Sequence, residues 1–141
     1  GQLRQTPAPP PGLDHLQTLH DAISAAGLAV TVSVSGTQVP LPAEVDHAAY
    51  RIVQESLTNV LRHAGPAASA TVSIGYTTDC LTITVANTGQ ADMPSASPSG
   101  GSHGINGMRE RATAVGGWLT AGPVDGGFLV SATLPLALVA Q

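Results

Sequence analysis

The segment from Pro42 to Ala64 places apolar residues at Ala49, Ile52, Val53, Leu57, Val60, Leu61 and Ala64, a recurrence of three to four residues. That spacing forms one stripe of an α-helix, and the stripe must be buried against another layer. Its ends are punctuated. Pro42 lies near the first helical position, where its fixed φ suits a helix start, and Glu44 sets an acid at the positive end of the dipole. Gly65-Pro66 stops the helix. The partner layer is predicted to be a sheet. Leu28 to Ser35, Ala70 to Tyr76, Leu81 to Asn87, Trp118 to Ala121 and Phe128 to Leu134 are short, alternating runs rich in Val, Ile and Thr.

Two further helices are predicted. Leu13 to Ala26 carries apolar residues at 13, 16, 19, 22, 23 and 26 and ends at Gly27; Ile105 to Val115 stops at Gly116-Gly117. Gly36 to Pro40 is a turn, Thr77-Thr78-Asp79 makes a hairpin, and a last hairpin turns around Pro123-Val124-Asp125-Gly126-Gly127. The order is helix, strand, helix, strand, strand, helix, strand, strand. The expected class is α+β: a two-layer sandwich of a mixed, mostly antiparallel sheet with helices on one face. With 141 residues, one domain is expected over 13–136, after a proline-rich linker at 1–12 and before a short tail at 137–141. Residues 90–103 form a low-complexity loop with no apolar anchor except Met93, the kind of loop that is either disordered or a functional lid. The chain opens on Gly1 rather than Met, so it is expected to be a piece of something longer.

Composition narrows the function. All five basic residues are Arg and the net charge is -4, which argues against a non-specific nucleic-acid binder. The single cysteine, Cys80, excludes an internal disulfide, and the five histidines lack metal-ligand spacing, so no zinc site is expected. No apolar run approaches the roughly 20 residues of a membrane span, and no signal peptide is recognisable.

At 100° per residue, Glu55, Asn59, Arg62 and His63 fall within one arc of about 100° that adjoins the apolar stripe. Glu55 can take a proton from a hydroxyl or a water. Asn59 offers a neutral oxygen to a hard cation such as magnesium, and Arg62 can neutralise phosphate charge. On spacing alone the arc fits a solvated helix face equally well. Gly100, Gly101, Gly104 and Gly107 surround His103 and lead into Met108-Arg109-Glu110-Arg111. Such a loop lets backbone N–H groups approach an anion at a helix N-terminus, yet an ordinary flexible loop has the same composition. Neither a Walker-A pattern nor a Rossmann fingerprint is present.

Taken in order, the segments Tyr50-Arg51-Ile52-Val53-Gln54-Glu55-Ser56-Leu57-Thr58-Asn59-Val60-Leu61-Arg62-His63-Ala64 and His103-Gly104-Ile105-Asn106-Gly107-Met108-Arg109-Glu110-Arg111 resemble the N box and second glycine box of the ATP-binding catalytic domain of two-component sensor histidine kinases. This is the Bergerat-type ATP fold shared with gyrase, Hsp90 and MutL, and the match is best to the nitrate-sensor-like subfamily. Asp125-Gly126-Gly127 and Leu134-Pro135 also fit the end of such domains. The resemblance covers roughly residues 13–136.

The resemblance implies ATP and Mg2+ as ligands. It implies that Asn59 coordinates magnesium, that Glu55 is the catalytic acid that polarises the nucleophile, and that Arg62 and His63 lie on the phosphate side. Gly101, His103, Gly104, Ile105, Gly107 and Met108 would line the nucleotide, and residues 90–103 would be the ATP lid. Asn87 to Gly89 occupies the first glycine box. There the family commonly has Asp-x-Gly-x-Gly, the Asp accepting from the adenine amino group. This chain has Asn87 for that Asp and Ala91 for the second glycine. Asn keeps a carbonyl acceptor but loses a charge-assisted bond. Phe128 stands where many relatives have Thr and is read as core packing.

The family also needs an acceptor histidine on a dimerising hairpin. Leu19-His20-Asp21 superficially resembles that motif, but only one helix precedes the first strand and the Arg-Glu-Leu context is absent, so it is read as a decoy. The implied partners are a dimerisation and phosphoacceptor domain absent from this chain and a response regulator with a LuxR-like DNA-binding domain. The implied location is the cytoplasmic part of a membrane-anchored sensor kinase. Two alternatives share the fold: an anti-sigma-type serine kinase, and a degenerate nucleotide-binding or interaction module, for which Asn87 and Ala91 speak.

Overall fold

The computed structural model of the protein describes residues 11–65, 67–89 and 103–136. The expected linker up to residue 10, the tail at 137–141 and the low-complexity loop from 90 to 102 lie outside the described residues. A short 3-10 turn, Leu13–His15, leads into α1 (Leu16–Ala25). Then follow β1 (Ala29–Ser35), α2 (Ala43–His63), β2 (Ser69–Tyr76), β3 (Cys80–Thr88), α3 (His103–Ala114), β4 (Trp118–Val124) and β5 (Gly127–Pro135). Every predicted element is present, with ends shifted by a few residues.

The five strands form one sheet in the order β1-β2-β3-β5-β4. β1 and β2 are parallel, as strands joined by a crossover helix must be, and the other three pairings are antiparallel. Alternation decides the faces. Val30, Ala70, Val72, Ile74, Leu81, Ile83, Val85, Phe128, Val130, Ala132 and Leu134 are buried on the side that carries the helices. Thr71, Ser73, Thr82, Thr84, Ser131 and Thr133 occupy the alternate positions of the opposite face, and none is buried. The sandwich is therefore two-layered.

α2 lies over the middle of the sheet, touching β2, β3 and β5, with α1 against β1 on one side and α3 against β4 and β5 on the other. Val45, Ala49, Ile52, Val53 and Leu57 are at most 1% exposed. Each large side chain among them contributes about 1.5–3 kcal/mol of transfer free energy to the fold. Two expectations are corrected. Leu61 is 39% exposed, because at its helical angle it passes the edge of the stripe and overhangs the α1–β1 turn. The last hairpin is tighter than expected: Val124 pairs with Gly127, leaving only Asp125-Gly126 as the turn. Pro123 is tolerated in β4 because β4 is an edge strand, bonded to β5 alone. No described helix is long and apolar enough to cross a membrane.

The chain entering the domain is held by α2. Asp46 accepts the backbone N–H of Leu13 at 2.8 Å, and His47 Nδ1 donates to the carbonyl of Pro11 at 2.9 Å.

Candidate functional site

Two independent contacts bring the singled-out segments to one end of the sandwich. The first joins β3 to α2. Gly89 follows β3 at φ +80°, and a side chain there would run into the carbonyl of Ala64, the residue that ends α2. Only glycine combines that backbone angle with that approach. The Gly89 N–H is satisfied by the carbonyl of Gly126 at 3.1 Å, so the tip of the β4–β5 hairpin supports the same corner.

The second contact sets α3 antiparallel to α2. Ser56 donates its hydroxyl to the sulfur of Met108 at 3.2 Å, inside the core. Farther along, Glu44, His47 and Ala48 of α2 line one small cavity with Arg111, Ala114 and Val115 at the end of α3. The N-terminal half of α2 thus meets the C-terminal half of α3. By helix geometry, the start of α3 then comes beside the last turns of α2. The free N–H groups and positive dipole end of α3 are directed to the corner that Ala64 and Gly89 make.

The predicted residues distribute as follows. Glu55, Asn59 and His63 are half-buried on the flank of α2 that turns to α3. Arg62 is exposed and lines a groove with Gly27, Leu28 and Leu61 near the α1–β1 turn. Of the four residues on the arc, Arg62 is thus the exposed one. Asn87 is 7% exposed at the inner end of β3, between Ala70 and Phe128. Its Nδ2 donates to the carbonyls of Thr88 at 2.9 Å and Gly89 at 2.8 Å. Gly127 makes room: a side chain there would strike the Asn87 carbonyl. Phe128 is 3% exposed and serves as core packing, as expected. Ile105 and Met108 are fully buried, so their side chains anchor α3 in the core. Gly107 lies in α3 with open space where a side chain would stand. His103 and Gly104 form the first turn of α3, while Gly101 and the rest of the loop expected to be a lid lie outside the described residues.

Sequence reasoning missed three residues. Ser56 was one position from Glu55 and carried no polar pattern, yet it ties the two helices together. Gly126 was read as turn chemistry alone. Arg51, one turn before Glu55, has its Nε buried without a partner among the described residues. No signal in the sequence distinguishes it from an ordinary i,i+4 partner of Glu55.

His20 is held in place. Its Nε2 donates to the carbonyl of Val30 at 3.0 Å, and Nδ1 faces the Asp21 carboxylate at 3.2 Å. Hydrogen bonds from His20 and then Gln17 hold the Asp21 carboxyl below the ordinary carboxylate range. The Nε2 atom that an acceptor histidine would present is occupied by the edge of the sheet.

No group of three or more His, Cys, Asp or Glu side chains gathers among the described residues, so an all-protein metal cage is not formed there. Magnesium needs less, because it keeps waters and takes substrate phosphate oxygens beside one or two protein ligands. Asn59 and Glu55, one turn apart on the half-buried flank, are oxygen donors of the required hard type.

Residues 44–138 match the family described as histidine kinase-, DNA gyrase B-, and HSP90-like ATPase. The sensor histidine kinase YxjM of Bacillus subtilis is 36% identical over 128 residues, which is 89% of this chain and 30% of that protein. Sensor histidine kinase LnrJ of the same organism is 31% identical over 135 residues, 94% of this chain and 32% of that protein. The chain thus spans about a third of the length of the curated relatives it matches. Among solved structures, a blue-light activated histidine kinase of Erythrobacter litoralis superposes with a TM-score of 0.72 at 23% identity, over 89% of this chain and 42% of that one. That likeness shows the fold.

Proposed function

Because the chain belongs to the histidine kinase-, DNA gyrase B-, and HSP90-like ATPase family, we propose that it is the ATP-binding catalytic part of a sensor histidine kinase, presenting the γ-phosphate of Mg-ATP to a histidine on a separate dimerising domain. The observation that carries this reading is the convergence at one corner. The Ala64–Gly89 contact and the antiparallel α2–α3 pair support a site at this end of the sandwich that would draw on Glu55, Asn59 and the start of α3.

The roles follow from chemistry and position. The start of α3 supplies unbonded N–H groups and a positive dipole to the phosphates. Asn59 holds the magnesium, which when bound neutralises charge on the phosphate oxygens. Glu55, one turn earlier, orients and polarises the attacking imidazole, and His63 contributes a donor on the phosphate side. Arg62, exposed near the end of α2, supplies positive charge toward the phosphate side. Asn87 reads the base. Catalysis in such a site is mainly positioning and charge neutralisation, with in-line transfer. The partners would be the acceptor domain and a response regulator, of the LuxR-like class by the subfamily resemblance, and the location would be cytoplasmic beneath a membrane-anchored sensor.

A titration calorimeter decides the first step. The 141-residue chain should bind ATP with magnesium and bind it far more weakly with a chelator. Absence of binding under both conditions would overturn the proposal and favour the degenerate interaction module, for which the Asn87 and Ala91 departures speak.

A further inference from the structure

We propose that the free edge of β1 is a self-association surface, to which a second copy of this chain adds its own β1, antiparallel, about a two-fold axis through Ser33. The proposal is independent of the nucleotide site.

Backbone direction decides which groups are free. The Ser69 N–H turns toward β3 and donates to the Thr88 hydroxyl at 3.0 Å. Backbone groups alternate sides along a strand, so Ala70, Val72 and Ile74 present theirs to β1. In the parallel register from Ala29–Ser69 to Ser35–Gly75, those groups meet Ala29, Thr31, Ser33 and Ser35. Val30, Val32 and Val34 therefore point their backbone away from the sheet. A side chain agrees with this: His20 Nε2 donates to the Val30 carbonyl at 3.0 Å from α1. Among the described residues, β1 pairs with β2 alone, and the outer backbone groups of Val32 and Val34 have no partner.

The two edges of the sheet differ. β4 carries Pro123, and proline is one of the devices that blunt an edge. β1, Ala-Val-Thr-Val-Ser-Val-Ser, has no proline and no charge. Val34 is 43% exposed. A groove of about 330 Å³ runs beside the strand, lined by Leu16, Gln17, His20, Val32 and Val34.

Fit names the occupant. β1 has valines toward the helices and hydroxyls on the opposite face, so a second β1 continues both faces. In an antiparallel pair, outward-pointing residues that face each other exchange both hydrogen bonds. Val32 does so with Val34 of the second copy, and Val34 with its Val32. Ser33 then faces Ser33, and Thr31 faces Ser35. One step farther, Val30 would face Gly36. The Val30 carbonyl is already taken by His20, and Gly36, at φ +83°, turns against the Tyr76 carbonyl and away from the edge. Cap and turn end the pairing at the same place, and that coincidence selects this register. Each exposed Val34 is laid beside the other copy's Val32, over the groove. One short strand makes a small interface, so association of the free chain is weak and depends on concentration.

Sedimentation velocity of the 141-residue chain over about a hundredfold range of concentration should show monomer giving way to dimer. A monomer throughout would overturn the proposal. Residue 33 faces itself, which only this pairing requires. Ser33→Lys and Ser33→Glu should each lose the dimer at low ionic strength, and an equimolar mixture should recover it. Ser33 is exposed, so both variants should keep the parent's thermal midpoint. A dimer that survives in either variant alone, or a mixture that stays monomeric, would place the contact on another face and overturn the proposal. Hydrogen exchange of the unaltered chain needs no variant. The Val32 and Val34 amides should slow as concentration rises, while those along β4 do not change. Amides of Val32 and Val34 that are protected equally at every dilution would mean that the edge is covered within one chain, and the proposal would fail.

Discussion

Ser56 and Met108 meet inside the core, hydroxyl to sulfur at 3.2 Å, although 52 residues separate them in the chain. Both are at most 2% exposed, so the contact fixes how α3 sits on α2. Met108→Ala should cost about 2–5 kcal/mol of stability by opening a cavity. Ser56→Leu should cost about 1–3 kcal/mol by overpacking and should tilt the start of α3 away from Asn59. Chemical denaturation measures the first number. ATP titration of the Ser56 variant checks the second effect, with weaker binding than the loss of stability alone would give.

Asn59→Ala should abolish magnesium-dependent nucleotide binding and leave the thermal midpoint nearly unchanged. Asn59 sits half-buried beside the stripe, not in it. Unchanged ATP affinity in the presence of magnesium would remove Asn59 as the metal ligand.

Glu55→Gln should bind ATP almost normally. With the acceptor hairpin of a longer relative supplied in trans, phosphoryl transfer should slow by about a hundredfold or more, the usual size of a lost acid–base contribution. A full transfer rate would assign Glu55 a structural role, for instance toward the Nε of Arg51, which has no partner among the described residues.

Incubated with labelled ATP, the chain alone should acquire no stable phosphohistidine. His20 is the residue to watch, and its Nε2 is bonded to the Val30 carbonyl at 3.0 Å. Label mapped to His20 would show that this bond opens readily and that the Leu19-His20-Asp21 resemblance is meaningful.

Tyr76, at the end of β2, should ionise above its ordinary value of 10.0. Burial disfavours the phenolate, and Asp46 adds repulsion. A folded-state pKa raised for a group that is neutral when protonated adds stability below the unfolded pKa. That stability is lost as the pH rises through the folded value. Ultraviolet titration should show a later step that Tyr76→Phe removes.

The helical stripe, the alternating strands and the punctuating glycines were legible in the sequence because each is a local pattern. So were the two boxes, whose residue types and order identify the family. What could not be read was long-range. The approach of Gly89 to Ala64, the support from Gly126 and the antiparallel course of α3 on α2 depend on strand order and helix packing. Leu61 was misplaced because periodicity gives an angle but not the width of the layer beneath it. The same limit hid the difference in exposure between Arg62 and Asn59.

The recognisable family segment starts at residue 44, but the sheet does not. β1 runs beside β2 in register from Ala29–Ser69 to Ser35–Gly75, and Leu16, Leu19 and Ile23 of α1 belong to the same core. The segment that the family model matches is therefore smaller than the unit of folding, whereas the likeness to the sensor kinase relatives runs over most of the chain. Excision at residue 44 would strip a whole parallel strand from β2 and leave a row of unpaired backbone groups flanked by Val72 and Ile74. An edge of that kind recruits other chains. Such a truncated protein would lose its solubility before any question of its chemistry arose, and an inactive precipitate would say nothing about the nucleotide site.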